Sequence, residues 1–232
     1  MTTEPRSCAV VFGATGGIGT ALVATLQSSG RYDSVLAFGR RTPVSIDLTD
    51  EASLERAVVH AAGHGEIRLA IDATGMLHTG DYRPEKSWRE LDAGHLVESF
   101  AINAIGPALL MKHLLPALPR SGRAVFATLS ARVGSIGDNR LGGWYGYRAA
   151  KAALNQFVHT AAIELARRAP EAICVALHPG SVATPLSAPF ARPDHPAQTP
   201  AEAAAQLLAV VDGLAPDQSG GFVDWRGETI PW

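Results

Sequence analysis

A tyrosine and a lysine four residues apart form the pair in this sequence best suited to acid–base chemistry. Tyr147 and Lys151 stand in the segment YRAAK, and side chains four positions apart lie on one face of a helix. A cation beside a phenol favours the phenolate and so lowers the pKa of the tyrosine, which is about 10 without a partner. The pair predicts an acid–base unit, although an exposed helical pair without a catalytic role has the same spacing.

A glycine-rich turn follows the first apolar run of the chain. The run SCAVVF lacks polar alternation and predicts a strand buried on both faces. GATGGIG follows directly, with Gly13, Gly17 and Gly19 in the spacing GxxxGxG, and TALVATLQSS then predicts a helix ending near Gly30. In this arrangement the free N–H groups of a helix N-terminus hold the pyrophosphate of a dinucleotide. The alternative is a glycine-rich turn that binds no ligand.

Two arginines stand where the second predicted strand, SVLAF, ends. An acidic residue at this point would bind the ribose hydroxyls of NAD, whereas Arg40 and Arg41 can bind the 2′-phosphate of NADP. The sequence therefore favours NADP(H), with NAD(H) as the alternative cofactor and Arg40 as the better candidate. An ordinary solvated arginine is the competing interpretation. Asp47, further along, is interpreted either as a ligand of the adenine amino group or as a cap or turn residue.

Several small or polar residues stand near the ends of later predicted strands. Gly75 would let the backbone pass close to a cofactor. Asn103, among apolar neighbours, is either a hydrogen-bonded packing residue or the holder of a proton-relay water near Lys151. Ser130 follows a buried strand, where ligands of open α/β sheets bind, and it is the candidate donor to a substrate carbonyl. Ser135, in the same loop, is the competitor.

The pattern of apolar runs predicts the elements that position these residues. Strands are expected at 7–12, 34–38, 46–48, 69–73, 123–129, 172–177 and 221–224, with helical segments between most of them. No internal repeat or linker is evident, so residues 1–232 are expected to form a single domain. Many of the prolines fall in 185–200, which we interpret as a lid over the substrate.

Composition and charge narrow the class of protein. A hydrophobic content of 47% and a charged content of 18% fit a large core, and a net charge of −2 gives no reason to expect nucleic acid or an anionic membrane as a partner. Cys8 and Cys174 lie in apolar runs, as expected of buried thiols in a reducing compartment. With no apolar signal segment and no long apolar run, a cytoplasmic location is expected.

Taken together, these motifs resemble the short-chain dehydrogenase/reductase family over essentially the whole chain. They are GATGGIG, the Asn103 helix, Ser130, YRAAK and HPGSVAT, and the segment SARVGSIGDNRLGGWYGYRAAKAALN is most similar to the C-factor and sniffer-like carbonyl reductase branch. The resemblance implies an α/β fold: a Rossmann-type, doubly wound, seven-stranded parallel sheet in the order 3-2-1-4-5-6-7, flanked by helices in three layers. It also implies association into homodimers or homotetramers.

The resemblance also implies roles for individual residues. Tyr147 would be the general acid, Lys151 would bind the nicotinamide ribose and lower the tyrosine pKa, Ser130 would orient the carbonyl, and Asn103 would support the proton relay. The implied cofactor-binding set is Gly13, Thr15, Gly16, Gly17, Ile18, Gly19, Arg40, Arg41, Asp47, Leu48, Gly75, Asn103, Tyr147, Lys151, Pro179, Gly180, Val182 and Thr184. No metal is expected.

Two departures from the family pattern accompany this assignment. The chain has Asp72-Ala73-Thr74-Gly75 where the family often has Asn-Asn-Ala-Gly, and the interval from Ser130 to Tyr147 is longer than usual. The longer interval fits an insertion carried by this branch.

The expected function is an NADP(H)-dependent carbonyl reductase or alcohol dehydrogenase acting on a small or medium carbonyl or alcohol. The alternative is a signalling protein that binds a dinucleotide with little turnover. The candidates to line an apolar substrate pocket are Leu77, His78, Trp144, Leu186 and Phe190.

Overall fold

A parallel sheet of six strands runs through the part of the chain that this computed structural model describes, which is residues 5–80, 82–191 and 196–232. The strand order is β2-β1-β3-β4-β5-β6, and every neighbouring pair is parallel. The strands are β1 Ser7–Phe12, β2 Ser34–Phe38, β3 Glu66–Asp72, β4 Ala124–Leu129, β5 Ala172–His178 and β6 Phe222–Asp224. The predicted doubly wound α/β fold is confirmed.

The predicted count of seven strands is wrong for the described residues, because no strand forms at 46–48. The segment before it makes a single bridge, between Gly39 and Ser45. The Thr42 hydroxyl accepts from the Gly39 N–H at 2.9 Å and donates to the Val44 carbonyl at 2.8 Å. These local bonds use backbone groups that a strand would pair with β2. Without this strand, the observed order agrees with the one that the family resemblance implies.

Helices cover both faces of the sheet and give the three predicted layers. One apolar core lies between the sheet and α1 and α6, and the other lies between the sheet and α2, α4 and α5. The helices are α1 Gly17–Ser29, α2 Glu51–Ala62, α3 Ala93–Phe100, α4 Gly106–Ala117, α5 Tyr145–Arg168 and α6 Pro200–Gly213. The buried strands have the continuous apolar sequences expected of a sheet covered on both sides.

Helix ends follow from local sequence signals. Asp50 caps α2 by accepting from the Ala52 N–H, and α6 begins with a capping box between Thr199 and Glu202. Helix α1 ends at Gly30, whose φ of 62° is left-handed. The end of α1 at Gly30 stands where the sequence predicts it.

A π turn, Ala101–Ile105, joins α3 to α4 in one continuous helical stretch. By length and composition this stretch, Ala93–Ala117, is apolar enough to cross a membrane. Its α4 part buries Leu110, Met111 and Leu114 in the core, and apolar core helices meet the same criterion. The absence of a membrane span stays a prediction.

Candidate active site

The glycine turn between β1 and α1 has no room for a side chain at Gly13 or Gly17. Gly13 has a φ of 76°, and a Cβ on it would lie 2.7 Å from the backbone of Ala73. A Cβ on Gly17 would lie 2.7 Å from Cγ2 of Thr184. The turn is therefore packed against the loop after β3 on one side and the loop after β5 on the other. Strands are added to the sheet in one direction from β1 to β2 and in the opposite direction from β3 onward, and ligands of doubly wound sheets bind at this change between β1 and β3.

The N-terminus of α1 has the features of an anion site. Its N-cap is Gly16, which has no side chain to accept a hydrogen bond. The first N–H groups of a helix have no partner within the helix, and the helix dipole adds positive character at that end. A phosphate placed there would supply the missing acceptors. Thr15 and Ile18, also predicted to bind the cofactor, lie within and just after this turn.

Gly75 lies where three elements meet beyond the carboxyl end of β3. A Cβ on Gly75 would approach Oδ1 of Asn103 to 3.4 Å and Nζ of Lys151 to 3.8 Å. Just before it, the buried carboxylate of Asp72 accepts from Thr74 and from the hydroxyl of Thr128. This carboxylate ties the ends of β3 and β4 together. The substitution of Asp72 for the asparagine often found in the family therefore preserves a hydrogen-bonded strand end.

Asn103 is fully buried in the π turn and fixes the loop after β3. Its Oδ1 accepts from the Met76 N–H at 2.9 Å and its Nδ2 donates to the Met76 carbonyl at 2.8 Å. The side chain therefore has the packing role that the sequence offers as one of two interpretations. The relay role stays a prediction.

Tyr147 and Lys151 lie one turn apart on α5, as predicted, and both are buried. Lys151 Nζ is 5.9 Å from the centroid of the Tyr147 ring and donates to the Leu129 carbonyl at 2.8 Å. Burial raises the pKa of Tyr147 well above its usual value. Burial also lowers the pKa of Lys151 to about 8, with Asp72 partly offsetting the effect.

Burial disfavours the phenolate form of Tyr147, so the tyrosine keeps its proton at neutral pH. The positive charge of Lys151, whose Nζ is 5.9 Å from the ring centroid, acts in the opposite direction. That Lys151 lowers the pKa of Tyr147 stays a prediction.

The two candidate serines have different surroundings. Ser130 follows β4 directly, is buried, and donates from Oγ to Oδ1 of Asn155 at 2.6 Å. Ser135 donates to the Pro231 carbonyl and accepts from the Asp138 N–H. Both hydrogen-bonding roles of Ser135 are thus used in holding its own loop against the chain end. Of the two, Ser130 is the one beside the Leu129 carbonyl that binds Lys151.

A row of aromatic rings leads away from Tyr147. The ring centroids of Tyr147 and Trp144 are 6.2 Å apart. The rings of Trp144 and Phe190 are 5.1 Å apart, and those of Phe190 and His78 are 5.9 Å apart. Three of the five residues predicted to line the pocket are thus brought together beside the candidate acid. Of the other two, Leu77 is buried and Leu186 is exposed. The predicted lid at 185–200 includes residues 192–195, which lie outside the described residues.

A buried glutamate that sequence reasoning missed holds the start of α5. Oε2 of Glu85 accepts from the Gly146 N–H at 3.1 Å, and its backbone carbonyl accepts from the Trp144 N–H. Trp144, the N-cap, has a left-handed φ of 54° and no side-chain cap of its own. Glu85 therefore replaces the missing cap from 61 residues away in the chain. No local pattern could reveal this pairing.

The remaining predicted residues lie around the rim of the crevice. Arg40 and Arg41 are exposed after β2, and within the described residues neither forms a salt bridge. Asp47 accepts from the N–H and hydroxyl of Thr49, which lowers its pKa and makes it a turn residue. Leu48 is buried against Gly106.

The loop after β5 lies on the far side of the glycine turn. The Pro179 carbonyl accepts from Nε2 of Gln198, and Val182 makes a bridge to the same residue. Gly180 has a left-handed φ of 75°. These contacts hold the segment that brings Thr184 against Gly17.

Comparison with known proteins agrees with this geometry. The sequence model of a family described as enoyl-(acyl carrier protein) reductase matches residues 13–212, from the glycine turn to the end of α6. The chain belongs to the short-chain dehydrogenase/reductase family. The predicted resemblance is confirmed, and the protein is an NAD(P)-dependent oxidoreductase of this family.

Similar proteins match different lengths of this short-chain dehydrogenase/reductase and have different names. C-signal of Myxococcus xanthus is 36% identical over 143 residues, which cover 62% of this chain and 82% of that protein. The 1-hydroxy-2-glutathionyl-2-methyl-3-butene dehydrogenase of Rhodococcus sp. (strain AD45) is 29% identical over 235 residues, covering 97% and 100%. The NADPH-bound carbonyl reductase from chicken fatty liver has a TM-score of 0.84 at 26% identity, covering 98% and 94%.

Proposed function

We propose that this protein is an NADP(H)-dependent carbonyl reductase or alcohol dehydrogenase, with Tyr147 as its general acid and base. The observation that carries the proposal is a set of contacts at one edge of the sheet. Gly13 packs on the loop after β3, Gly75 in that loop lies against Asn103 and Lys151, and the Leu129 carbonyl joins Lys151 to the strand that ends at Ser130. A dinucleotide site and an acid–base pair are thereby neighbours.

The residues present fit NADP(H). The uncapped start of α1 suits a pyrophosphate, and Gly13, Gly17 and Gly75 let the loops around it pack closely together because no side chain separates them. Arg40 and Arg41 supply positive charge where a 2′-phosphate would lie. The chicken liver relative is described as NADPH-bound. In this assignment Lys151 holds the nicotinamide ribose and Thr184 contacts the carboxamide.

The cofactor, when bound, supplies hydride, and the chain's own residues do the rest. Ser130 and Tyr147 donate hydrogen bonds to the substrate oxygen, which draws electron density away from the carbonyl carbon. As a C–H bond forms at that carbon, the C=O π pair moves to oxygen, and the Tyr147 proton follows to give the alcohol. Burial keeps this proton on Tyr147 until it is needed. Asn103 supports the path by which Tyr147 regains a proton.

The row of aromatic side chains favours an apolar substrate. Trp144 and Phe190 extend the wall that begins at the Tyr147 ring, and pockets of this composition bury apolar groups. We propose small or medium apolar carbonyl compounds as the substrate class.

The first test is NADPH consumption against a panel of aldehydes and ketones, with Tyr147→Phe alongside. Removing the general acid should lower kcat by about 10²–10⁴-fold, while the dissociation constant for NADPH, measured by fluorescence, should change little. Equal turnover by parent and variant would contradict the role of Tyr147.

The cofactor assignment is tested by Arg40→Ala, with Arg31→Ala as a control. Arg31 is an exposed arginine whose contact is with Asp212 on α6. Removing the Arg40 guanidinium should lower kcat/KM for NADPH by about tenfold or more, since a charged hydrogen bond is lost, and should leave kcat/KM for NADH nearly unchanged. An equal loss for both cofactors would contradict recognition of the 2′-phosphate.

A second candidate function is dinucleotide-dependent signalling with little turnover. The observation that favours it is similarity to a relative named C-signal. A protein that only binds the cofactor needs the glycine turn but not Ser130 and Tyr147. NADPH binding without consumption on any carbonyl would favour this alternative.

We further propose that the protein self-associates through the face formed by α4 and α5, as a dimer or tetramer in the cytoplasm. Phe157 is 41% exposed there, and Met111, Leu115 and Ala161 line a groove beside it. Two free, buried cysteines fit a reducing compartment.

A further inference from the structure

A buried hydrogen bond beside the candidate acid uses the proton that Ser130 is proposed to donate to the substrate. Ser130 Oγ donates to Oδ1 of Asn155 at 2.6 Å. Both side chains are buried, 4% and 2% exposed. Within the described residues, the other branch of the amide, Nδ2 of Asn155, is also buried and has no hydrogen-bond partner. Asn155 follows Lys151 by one helical turn and Tyr147 by two, so it lies along the same face of α5.

A hydroxyl group has only one proton. While Ser130 donates it to Asn155, it cannot donate it to a substrate carbonyl. A half-turn of the planar carboxamide exchanges its oxygen for its NH₂ group at the same position. Nδ2 then donates to Ser130 Oγ, which leaves the Ser130 proton free for the substrate. This orientation also gives a partner to the NH₂ group, and Oδ1 then takes the buried position that Nδ2 leaves.

We propose that Asn155 is a positioning residue that sets the direction of the Ser130 hydroxyl. In the productive state its Nδ2 donates to Ser130 Oγ and turns the hydroxyl proton toward the carbonyl oxygen. The inference rests on the proposed carbonyl reductase function. It deepens that function because a residue that does not touch the substrate determines whether Ser130 can donate its proton to the carbonyl.

Asn155→Asp is the informative substitution because it keeps the shape and changes only the hydrogen-bonding roles. An ionised carboxylate can only accept, so it holds the Ser130 proton permanently. A protonated carboxyl can donate, which restores the productive direction. The expected result at pH 8 is a loss of about 10²-fold in kcat/KM for the carbonyl relative to the parent, with the dissociation constant for NADPH within about threefold, which is under 1 kcal/mol. The matched control is Gln156→Glu, the same chemical change at an exposed neighbour.

The pH profile separates this role from a structural one. The activity of Asn155→Asp relative to the parent should recover as the pH falls toward about 5, because burial raises the pKa of the introduced carboxyl above its usual value. The titratable groups nearby are Tyr147 and Lys151 on α5 itself, Asp72 at the end of β3, Arg132 after β4, and His178 and Asp224 at the ends of β5 and β6. All are present in parent and variant alike, so the ratio of the two profiles isolates the new group.

Infrared titration of the variant without cofactor gives a readout independent of activity. The band of the protonated carboxyl should disappear over the pH range in which relative activity is lost. A double-mutant cycle of Asn155→Ala with Ser130→Ala, both of which leave an uncharged site, should be non-additive.

The outcomes distinguish failure of the inference from failure of the function. A deficit of Asn155→Asp that is constant with pH, or full activity at pH 8, overturns the inference, as does additivity in the cycle. If Asn155→Asp does not fold, the cycle with alanine decides. A parent protein that reduces no carbonyl overturns the proposed function itself, and the inference falls with it.

Discussion

At the scale of single residues, the site depends on burial as much as on which side chains are present. Tyr147 and Lys151 are both enclosed, and enclosure disfavours the charged form of each. Tyr147 thereby keeps its proton at neutral pH, as the proposed role of general acid requires. The pKa of Lys151 falls to about 8, close to neutral pH, although the charge of Asp72 helps the ammonium to keep its proton.

The lowered pKa of Lys151 predicts a pH limit on cofactor use. The ammonium is present below a pKa of about 8 and is lost as the pH rises through it, whereas an exposed lysine would stay charged to about 10.4. If the cation holds the ribose, kcat/KM for NADPH, which reports groups of the free enzyme, should fall above about pH 8. The measurement is a pH profile from 6 to 10 at constant ionic strength.

Lys151→Arg is the companion variant for that profile. Arginine keeps its charge across this range, so the fall in kcat/KM above about pH 8 should be absent in the variant. The variant should also be slower than the parent at pH 7. A parent profile that is flat to pH 10 would contradict a functional Lys151 cation.

Sequence reasoning located the candidate site residues but not the directions of their hydrogen bonds. Ser130, Tyr147 and Lys151 are predictable because strand ends and helical spacing determine where they lie. The Glu85 contact with Gly146 is not predictable, since it joins residues 61 positions apart without any local pattern. Neither is the burial that raises the pKa of Tyr147, because burial depends on the whole packed structure.

At the scale of elements, the close packing of the β1–α1 turn is what the proposed cofactor site requires. Gly13 has a left-handed backbone and also lies against the Ala73 backbone. Gly30, at the other end of the same helix, has a similar φ of 62° but open space around it. The two glycines therefore differ in crowding while sharing the same conformational requirement.

This pair of glycines gives an element-scale prediction. Gly30→Ala should lower the free energy of unfolding by about 1–2 kcal/mol through backbone strain alone, with NADPH binding unchanged. Gly13→Ala should cost about 2–5 kcal/mol because collision adds to strain, and it should weaken NADPH binding as the turn shifts. The measurements are urea unfolding and cofactor fluorescence. Equal effects of both variants on binding would contradict the role of the turn.

The strand predicted at 46–48 does not form because of local hydrogen bonds. Residues 46–48 are apolar enough for a strand, but the Thr42 hydroxyl bonds the Gly39 N–H and the Val44 carbonyl in the segment before them. Hydrogen bonds of this kind compete with sheet pairing, and hydrophobic pattern alone does not reveal them.

At the scale of the whole molecule, the apolar groove between α4 and α5 predicts self-association. Phe157→Glu would place a charge on this face and should shift the protein toward monomer in sedimentation velocity, because burying an unpaired charge is unfavourable. Gln156→Glu adds the same charge one residue away and serves as the control. An unchanged distribution for Phe157→Glu would mean that this face is not the interface.

The π turn at Asn103 constrains how the gene can change in length. A π turn accommodates an additional residue within a helix, and each residue of an α-helix turns the chain by about 100°. Deleting one residue between 101 and 105 would restore a regular helix and remove the π turn from which Asn103 reaches Met76, whereas a deletion within α3 or α4 would rotate one part of the helix relative to the other. Point substitutions along this helix can therefore accumulate over evolution, whereas single-codon insertions and deletions inside it should be selected against.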